Sequence, residues 1–145
     1  MLLTFIAGGW LVWSQLRRTL FSRRVERALR DIVRDRNELQ ATFLRTAGAS
    51  GKPRGLAWKQ CDFQDGVLLA RDRATGELIG LVGATISFAA IAGGDMEDVE
   101  AVGNLRAATA VLTWKNGQWV TQGRAVFNLE PREVLERYRD SLDPI

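Results

Sequence analysis

Residues 2–36 read LLTFIAGGWLVWSQLRRTLFSRRVERALRDIVRDR, an apolar lead that passes without a linker into an arginine-rich run. Charged side chains are absent before Arg17, so a helix over this lead needs lipid or a large apolar partner to cover it. At about 1.5 Å per residue, residues 2–16 span roughly 22 Å, whereas a bilayer's hydrocarbon core is about 30 Å thick. We therefore expect residues 1–16 to be a single-pass or half-inserted membrane anchor, or else a helix buried in a partner or oligomer.

The flanks of the lead favour the membrane interpretation. Tryptophan suits the interfacial belt, and arginine side chains can reach up to lipid headgroups. The residues expected at the membrane surface are Trp10, Trp13, Arg17, Arg18, Arg23 and Arg24. Because the basic residues follow the lead, the positive-inside rule predicts a cytoplasmic C-terminal domain. A cleaved leader is the weaker alternative, since no basic region precedes the apolar run and no small-residue cleavage site follows it.

From Phe21 onward, apolar residues recur at helical spacing with arginines and acids between them. These positions are Phe21, Val25, Ala28, Leu29, Ile32, Leu39 and Phe43. The pattern predicts one basic amphipathic helix over residues 17–47, ended by Thr46-Ala47-Gly48. The sequence thus divides into the lead (1–16), the basic helix (17–47) and a small α+β domain (48–145), with the helix packing as part of that domain.

The N-terminal part of the chain and the domain have net charges of opposite sign. Residues 1–54 carry 11 basic and 4 acidic side chains, a net charge of +7, whereas residues 55–145 carry 9 basic and 13 acidic ones, a net charge of −4. A basic run beside an apolar lead predicts attraction to anionic lipid, at about 1 kcal/mol per well-placed basic residue, although such runs are often only solvated helix faces. This pattern disfavours nucleic-acid binding, because aromatic residues are not interleaved with the arginines.

The sequence that follows the basic helix predicts an antiparallel meander. Short strands are expected over Leu56–Phe63 and Val67–Arg71, and residues 72–76 have the composition of a hairpin loop. In the longer strand Leu78–Ala90 every even position is apolar, so the even side chains should face the core.

The clearest hairpin signal is Lys115-Asn116-Gly117-Gln118, which fits a two-residue type I′ turn. The pairs that this turn implies are Trp114 with Trp119, Ala110 with Gly123, and Ala108 with Ala125. Beyond the tryptophans this face of the hairpin carries almost only small side chains, so a bulky element should lie against it. We expect that element to be the amphipathic helix, through Leu29, Ile32 and Leu39.

Pro131 suits a first helical turn and predicts a short C-terminal helix. Its apolar face would be Val134, Leu135, Tyr138 and Leu142, with an end near Asp143-Pro144. The predicted fold class is α+β: an N-terminal apolar anchor helix continues into the long basic helix, which packs on a curved antiparallel sheet of about four to five strands. This order is similar to cystatin-like and NTF2-like folds, in which a curved sheet wraps one long helix.

The densest group of reactive side chains is Gly93-Gly94-Asp95-Met96-Glu97-Asp98-Val99-Glu100. Its carboxylates could bind a hard cation or a basic protein partner, but EF-hand spacing is absent and such loops are commonly only solvated. We expect a partner contact through Asp95, Glu97, Asp98 and Glu100. We predict no metal, no cofactor and no catalytic residues.

Cys61 is the only cysteine and histidine is absent, so an internal disulfide is impossible and the usual ligand and proton carrier of many enzymes is missing. A nucleophilic Cys61 would need Asp62 or Lys59 as its base, whereas a partly buried structural thiol is the simpler interpretation. The tryptophans that could line a ligand pocket, or merely pack, are Trp58, Trp114 and Trp119.

The segments GGDMEDVEAVGNLRAATAV (93–111) and GRAVFNLEP (123–131) resemble a group of uncharacterised bacterial proteins, over about the last two thirds of the chain. The resemblance implies no activity. We therefore expect a non-enzymatic, membrane-anchored accessory or scaffold protein whose domain binds a protein partner or its own copies in a larger complex. The alternatives are an NTF2-like domain that binds or converts a small ligand, and a binder of anionic lipid or nucleic acid through Arg17–Arg36.

Overall fold

The computed structural model of this chain describes residues 2–50, 55–99 and 104–145. Over these residues it is an α+β structure with an antiparallel sheet, as the sequence predicts. Helices pack on both faces of this sheet, which the sequence does not predict. The elements in chain order are α1 (Leu2–Arg34), α2 (Arg36–Ser50), β1 (Leu56–Phe63), β2 (Leu68–Asp72), β3 (Leu78–Ala90), β4 (Arg106–Lys115), β5 (Gln118–Val120), β6 (Ala125–Phe127), α3 (Pro131–Arg137) and β7 (Leu142–Pro144).

The apolar lead and the basic run form one helix, α1, which is unbroken over residues 2–34. Asp35 separates α1 from α2. Hydrogen bonds of 2.9 Å from Asp35 N to Asp31 O and from Leu39 N to Asp35 O nevertheless carry the helical path across it. Arg34 lies between the carboxylates of Asp31 (3.2 Å) and Asp35 (2.8 Å) at this junction. The two segments therefore follow each other as the single long element that the spacing indicates.

β3 is the central strand of the sheet. The strand order is β5-β4-β3-β2-β7, with β1 also paired to β3 and β6 also paired to β4. The described residues form seven strands rather than the expected four to five. Two positions in the sheet are each shared by two strands, β1 and β2 beside β3, and β5 and β6 beside β4. The strands β5, β6 and β7 are only three residues long. One interruption lies between β1 and β2, where Gln64 N donates to Gly83 O at 2.7 Å.

Both faces of β3 are buried. Its even positions from Leu78 to Phe88 face α1 and α2, which confirms the predicted alternation. Its odd positions Ile79 and Leu81 are buried as well, because Val134 of α3 covers that face and forms a second, smaller core. β3 therefore resembles a central strand between two layers rather than the half-exposed strand of a simple meander.

The type I′ turn of the β4–β5 hairpin is confirmed, with φ of 52° at Asn116 and 77° at Gly117. Its first pairs, Lys115 with Gln118 and Trp114 with Trp119, are also as predicted. The more distant pairs are wrong by two residues, since Ala110 faces Ala125 and Ala108 faces Phe127. The cause is a local bulge around Gly123, which has a φ of 74°. A shift of two residues keeps the same side chains on the inner face.

The end of the chain differs from the prediction. α3 stops at Arg137, and Leu142 lies in β7, paired with β2, rather than on a helix face. The chain turns where the Ser141 and Leu142 N–H groups both donate to Tyr138 O at 2.8 Å. Once the chain has turned, Asp143 can reach the arginines of β2 and its loop, and this pairing holds the short strand in place.

The amphipathic helix does cross the hairpin face that carries only small side chains beyond the tryptophan pair. Ala28, Ile32, Leu39, Phe43 and Ala47 are buried against the sheet. Leu29, which was expected on this contact face, is instead 38 % exposed, because it follows Ala28 and points about 100° away from it around the helix.

Candidate functional site

Helix α1 carries a run of large apolar side chains that the rest of the described chain leaves exposed. Leu11, Val12 and Trp13 are consecutive, so their side chains point about 100° apart and together face most directions around the helix. Their exposed fractions are 57 %, 69 % and 55 %. The complete set, which we name the apolar segment, is Ile6, Trp10, Leu11, Val12, Trp13, Leu16 and Leu20. A helix that is apolar on all sides is normally buried in lipid or in another protein.

Two hydroxyl groups in and beside this segment bond to the backbone of their own helix. Ser14 Oγ donates to the carbonyl of Leu11 at 2.8 Å, and Thr19 Oγ1 donates to the carbonyl of Gln15 at 3.0 Å. Both hydroxyl protons are thereby satisfied without water. Such bonding lowers the cost of placing serine and threonine in an apolar medium.

The residues predicted at a membrane surface lie within the apolar segment and directly after it along α1. Arg17 Cζ lies 4.9 Å from the ring centroid of Trp13, a cation–π pair between the apolar segment and the first basic residue. Trp10, Trp13, Arg17, Arg18 and Arg23 are exposed, and Arg24 is half-buried. Among the described residues, no helix combines enough length with enough hydropathy to cross a bilayer.

A groove lies where α1 meets the β4–β5 turn, with a volume of about 540 Å³. Four residues of α1 form one wall at i, i+3, i+4 and i+7 spacing, which places them on a single helix face. The hairpin supplies the other wall. We name this site the basic groove; its lining is Leu20, Arg23, Arg24, Arg27, Trp114, Asn116 and Gly117.

The arginines of the basic groove lack the partners that neutralise nearby cations. Asp143 accepts from Arg73 at 2.7 Å and lies 3.7 Å from Arg71, and Glu77 lies 3.8 Å from Lys115. By contrast, Arg23, Arg24 and Arg27 form no ion pair with any described residue, and the groove lining contains no carboxylate. The groove therefore brings together three arginines that have no ion-pair partner among the described residues, beside a buried tryptophan.

The predicted acidic loop occupies residues 91–99, and Glu100 lies outside the described residues. Glu97 Oε2 accepts a 2.8 Å hydrogen bond from Gly93 N, so this carboxylate closes the loop on itself. Asp95 and Asp98 remain exposed. Within the described ranges, no cluster of acidic or cysteine side chains has the arrangement of a metal site.

Cys61 is buried in the main core, at 2 % exposure, while Asp62 and Lys59 beside it point to solvent. Burial away from water, with a smaller contribution from the Asp62 carboxylate, raises the pKa of the thiol to about 12. A thiol that stays protonated at neutral pH is a poor nucleophile. The geometry therefore favours the structural interpretation of Cys61.

The three tryptophans do not converge on a common pocket. Trp58 packs against Phe88, with ring centroids 5.0 Å apart, near the end of β3. Trp114 pairs with Leu78 at the beginning of β3 and stacks edge-to-face on Trp119 at 5.3 Å. The two sites are therefore separated by much of the length of the central strand.

The sequence predicts Arg23 and Arg24 at a membrane surface and Trp114 as a residue that lines a pocket or merely packs, but it does not predict the groove. Asn116 and Gly117 are predicted only as a turn. The helix spacing of Leu20, Arg23, Arg24 and Arg27 is visible in the sequence, but the position where the helix crosses the hairpin is not.

Comparisons of the chain with protein-family models, with curated proteins and with solved structures gave no match.

Proposed function

We propose that this protein is a non-enzymatic accessory protein that attaches to a membrane through the N-terminal part of α1 and presents its α+β domain to a protein partner. The exposed apolar segment is the observation that carries this proposal. Its large side chains face most directions around the helix, and at about 25 cal/mol per Å² their removal from water is strongly favourable. The self-bonded Ser14 and Thr19 hydroxyls fit the same apolar environment.

The arginines support an attachment that ends at the headgroup layer. Arg17, stacked on Trp13, follows the last fully apolar turn, and the basic groove lies one to three turns farther along the same helix. A half-inserted helix satisfies this order of residues without spanning the hydrocarbon core. The excess of arginine after the apolar segment favours a cytoplasmic domain, by the positive-inside rule.

The two ends of the central strand β3 carry different surfaces of the domain. The hairpin turns at 72–76 and 116–117 lie at the α1 end of β3, whereas the acidic loop follows the other end of this 13-residue strand. At about 3.3 Å per residue, the two ends are roughly 40 Å apart. The acidic loop, which also exposes Ile91 and Val99, would then point away from an anionic membrane and be free to meet a basic partner.

Two valines of α1 provide a matched test of the attachment. Val12 and Val33 are both 69 % exposed, but only Val12 belongs to the apolar segment. We expect Val12→Glu to weaken binding of the full-length protein to phosphatidylcholine vesicles by at least about tenfold, because a buried carboxylate costs more than 1.4 kcal/mol. Val33→Glu should bind as the wild type does. Vesicle flotation without detergent measures both.

The proposal fails if the wild-type protein stays monomeric and soluble and does not float with any vesicles, or if the two valine variants lose binding equally. If detergent-free chromatography shows a defined oligomer that Val12→Glu dissociates while flotation is absent, the apolar segment is a protein–protein contact instead.

The partner contact has its own test. Asp95→Lys with Asp98→Lys reverses the exposed charge of the acidic loop, whereas Glu136→Lys with Asp140→Lys makes the same charge change at exposed positions on and just after α3. Crosslinking of membrane-bound protein should lose a specific product only with the first pair. Equal crosslinking by both pairs would exclude the acidic loop as the contact.

A further inference from the structure

We propose that the basic groove is a binding site for the phosphate of an anionic phospholipid headgroup. This inference rests on the proposed membrane attachment and adds a specific lipid-recognition site to it. Its volume of about 540 Å³ is within the range of small-ligand sites, and its three arginines can donate paired hydrogen bonds to phosphate oxygens.

The position of the groove on α1 matches the depth of a headgroup. Trp13, Leu16 and Leu20 lead by steps of three and four residues into Arg23 and Arg27, so the apolar face and the arginine face are continuous along the helix. From Trp13 to Arg23 the rise is about 15 Å, whereas one headgroup layer is about 5 to 7 Å thick. Helical side chains lean toward the N-terminus, so the long arginine side chains extend back toward the headgroups. A lipid whose acyl chains lie against the apolar segment would therefore carry its phosphate to these arginines.

The walls of the groove are chemically suited to such a ligand. Leu20, 55 % exposed, lies at the apolar side, while Trp114 and the Asn116 amide line the hairpin side. The turn of Asn116 and Gly117 has a fixed backbone conformation, and Trp114 is held by its edge-to-face contact with Trp119. The hairpin wall is thus preorganised, and only the arginine side chains need to be ordered on binding.

Charge balance distinguishes this groove from the remaining basic surface. A cavity beside it is lined by Arg24, Arg71 and Arg73 together with the carboxylates of Asp72 and Asp143, and Asp143 pairs with Arg71 and Arg73. The lining of the basic groove itself contains no carboxylate, and Arg23 and Arg27 do not line the second cavity, so the charge of these two arginines is available to an incoming phosphate.

The test compares full-length variants on vesicles of phosphatidylcholine with and without phosphatidylglycerol. Arg23→Gln with Arg27→Gln should weaken binding to the anionic vesicles by about 30-fold, on the basis of about 1 kcal/mol per arginine. It should weaken binding to neutral vesicles much less, because the choline ammonium of phosphatidylcholine offsets the charge of its phosphate. Arg45→Gln with Arg132→Gln removes the same charge from exposed sites on α2 and α3 and should change binding by less than threefold, roughly the scatter expected of distant, screened charges.

A second variant tests the hairpin wall. Asn116→Asp places a carboxylate in the groove without altering α1, and aspartate tolerates the positive φ at this position. It should reduce the preference for anionic vesicles while the circular dichroism spectrum and thermal midpoint remain those of the wild type.

The outcomes separate this inference from the proposed attachment. If the wild type binds neutral and anionic vesicles and the groove variants match the Arg45/Arg132 control, the site is wrong and the attachment stands. If the wild type binds neither kind of vesicle, the attachment fails and this inference falls with it. Binding of glycerol 3-phosphate or of an oligonucleotide that requires Arg23 and Arg27, without any preference for anionic vesicles, would overturn the lipid assignment.

Discussion

The indole nitrogen of Trp119 donates a 2.8 Å hydrogen bond to the carbonyl oxygen of Ala28, which joins the short strand β5 to the C-terminal part of α1. Ala28 is fully buried, and Trp119 is 8 % exposed. This bond fixes where the helix crosses the hairpin, and hence how far the arginine wall of the basic groove stands from the turn.

Trp119→Phe removes that bond together with part of the buried ring. We expect the free energy of unfolding to fall by about 2 to 3 kcal/mol, of which about 1 kcal/mol belongs to the hydrogen bond. Trp114→Phe is the matched control, because Trp114 is equally buried and its ring nitrogen has no hydrogen bond to any described residue. Urea denaturation of both variants gives the comparison. Equal losses would mean that the bond to Ala28 contributes nothing.

Gly123 lies against the backbone of α2, where a Cβ atom would stand 2.4 Å from Ala47 N and 2.8 Å from Thr46 C. Its φ of 74° adds a conformational penalty for any other residue. We expect Gly123→Ala to destabilise the fold by about 3 kcal/mol or more, since overpacking and the left-handed backbone both contribute.

Gly66 separates the two contributions. It has a φ of 88°, but no atom lies within 4 Å of the position of its Cβ. Gly66→Ala should therefore cost only about 1 to 2 kcal/mol. Thermal denaturation midpoints that fall equally in the two alanine variants would show that α2 does not press on Gly123.

The long helix, the central strand and the hairpin turn could be predicted from the sequence, because each has a strong local pattern. The stripe through Ile32 and Phe43, the even face of β3 and the Asn116-Gly117 turn are all decided by neighbouring residues. The register beyond Gly123 could not be predicted, because a bulge is stabilised by the helix packed over it.

The candidate site was less accessible to sequence reasoning for a related reason. The apolar segment and the arginines could be recognised from composition alone, whereas the basic groove depends on the crossing of α1 over the hairpin. β7 was missed because Leu142 also fits a helical spacing; its pairing depends on Asp143 meeting Arg73, 70 residues away in the chain.

Cys61 predicts a pH dependence of stability. Its pKa is raised to about 12 in the folded protein, whereas an unfolded cysteine has a pKa of about 8.5. Below the unfolded pKa both states bind the proton, so stability is unaffected. As pH rises above it, only the unfolded state releases the proton, and the free energy of unfolding falls. We expect a loss of about 2 kcal/mol between pH 7.5 and 10 that is absent in Cys61→Ala, measured by urea denaturation.

Glu97 provides a test of the acidic loop that needs no partner. Its carboxylate accepts from Gly93 N at 2.8 Å, whereas Asp95 and Asp98 are exposed and accept no backbone hydrogen bond within the described part of the loop. Glu97→Ala should speed hydrogen exchange at the Gly93 amide by about tenfold, because a charge-assisted bond of about 1.5 kcal/mol is lost. Asp95→Ala with Asp98→Ala should leave that amide unchanged. Mass-spectrometric hydrogen exchange of the peptide that contains Gly93 distinguishes the variants. If the double variant exchanges as fast as Glu97→Ala, the loop is held by its total charge and not by this bond.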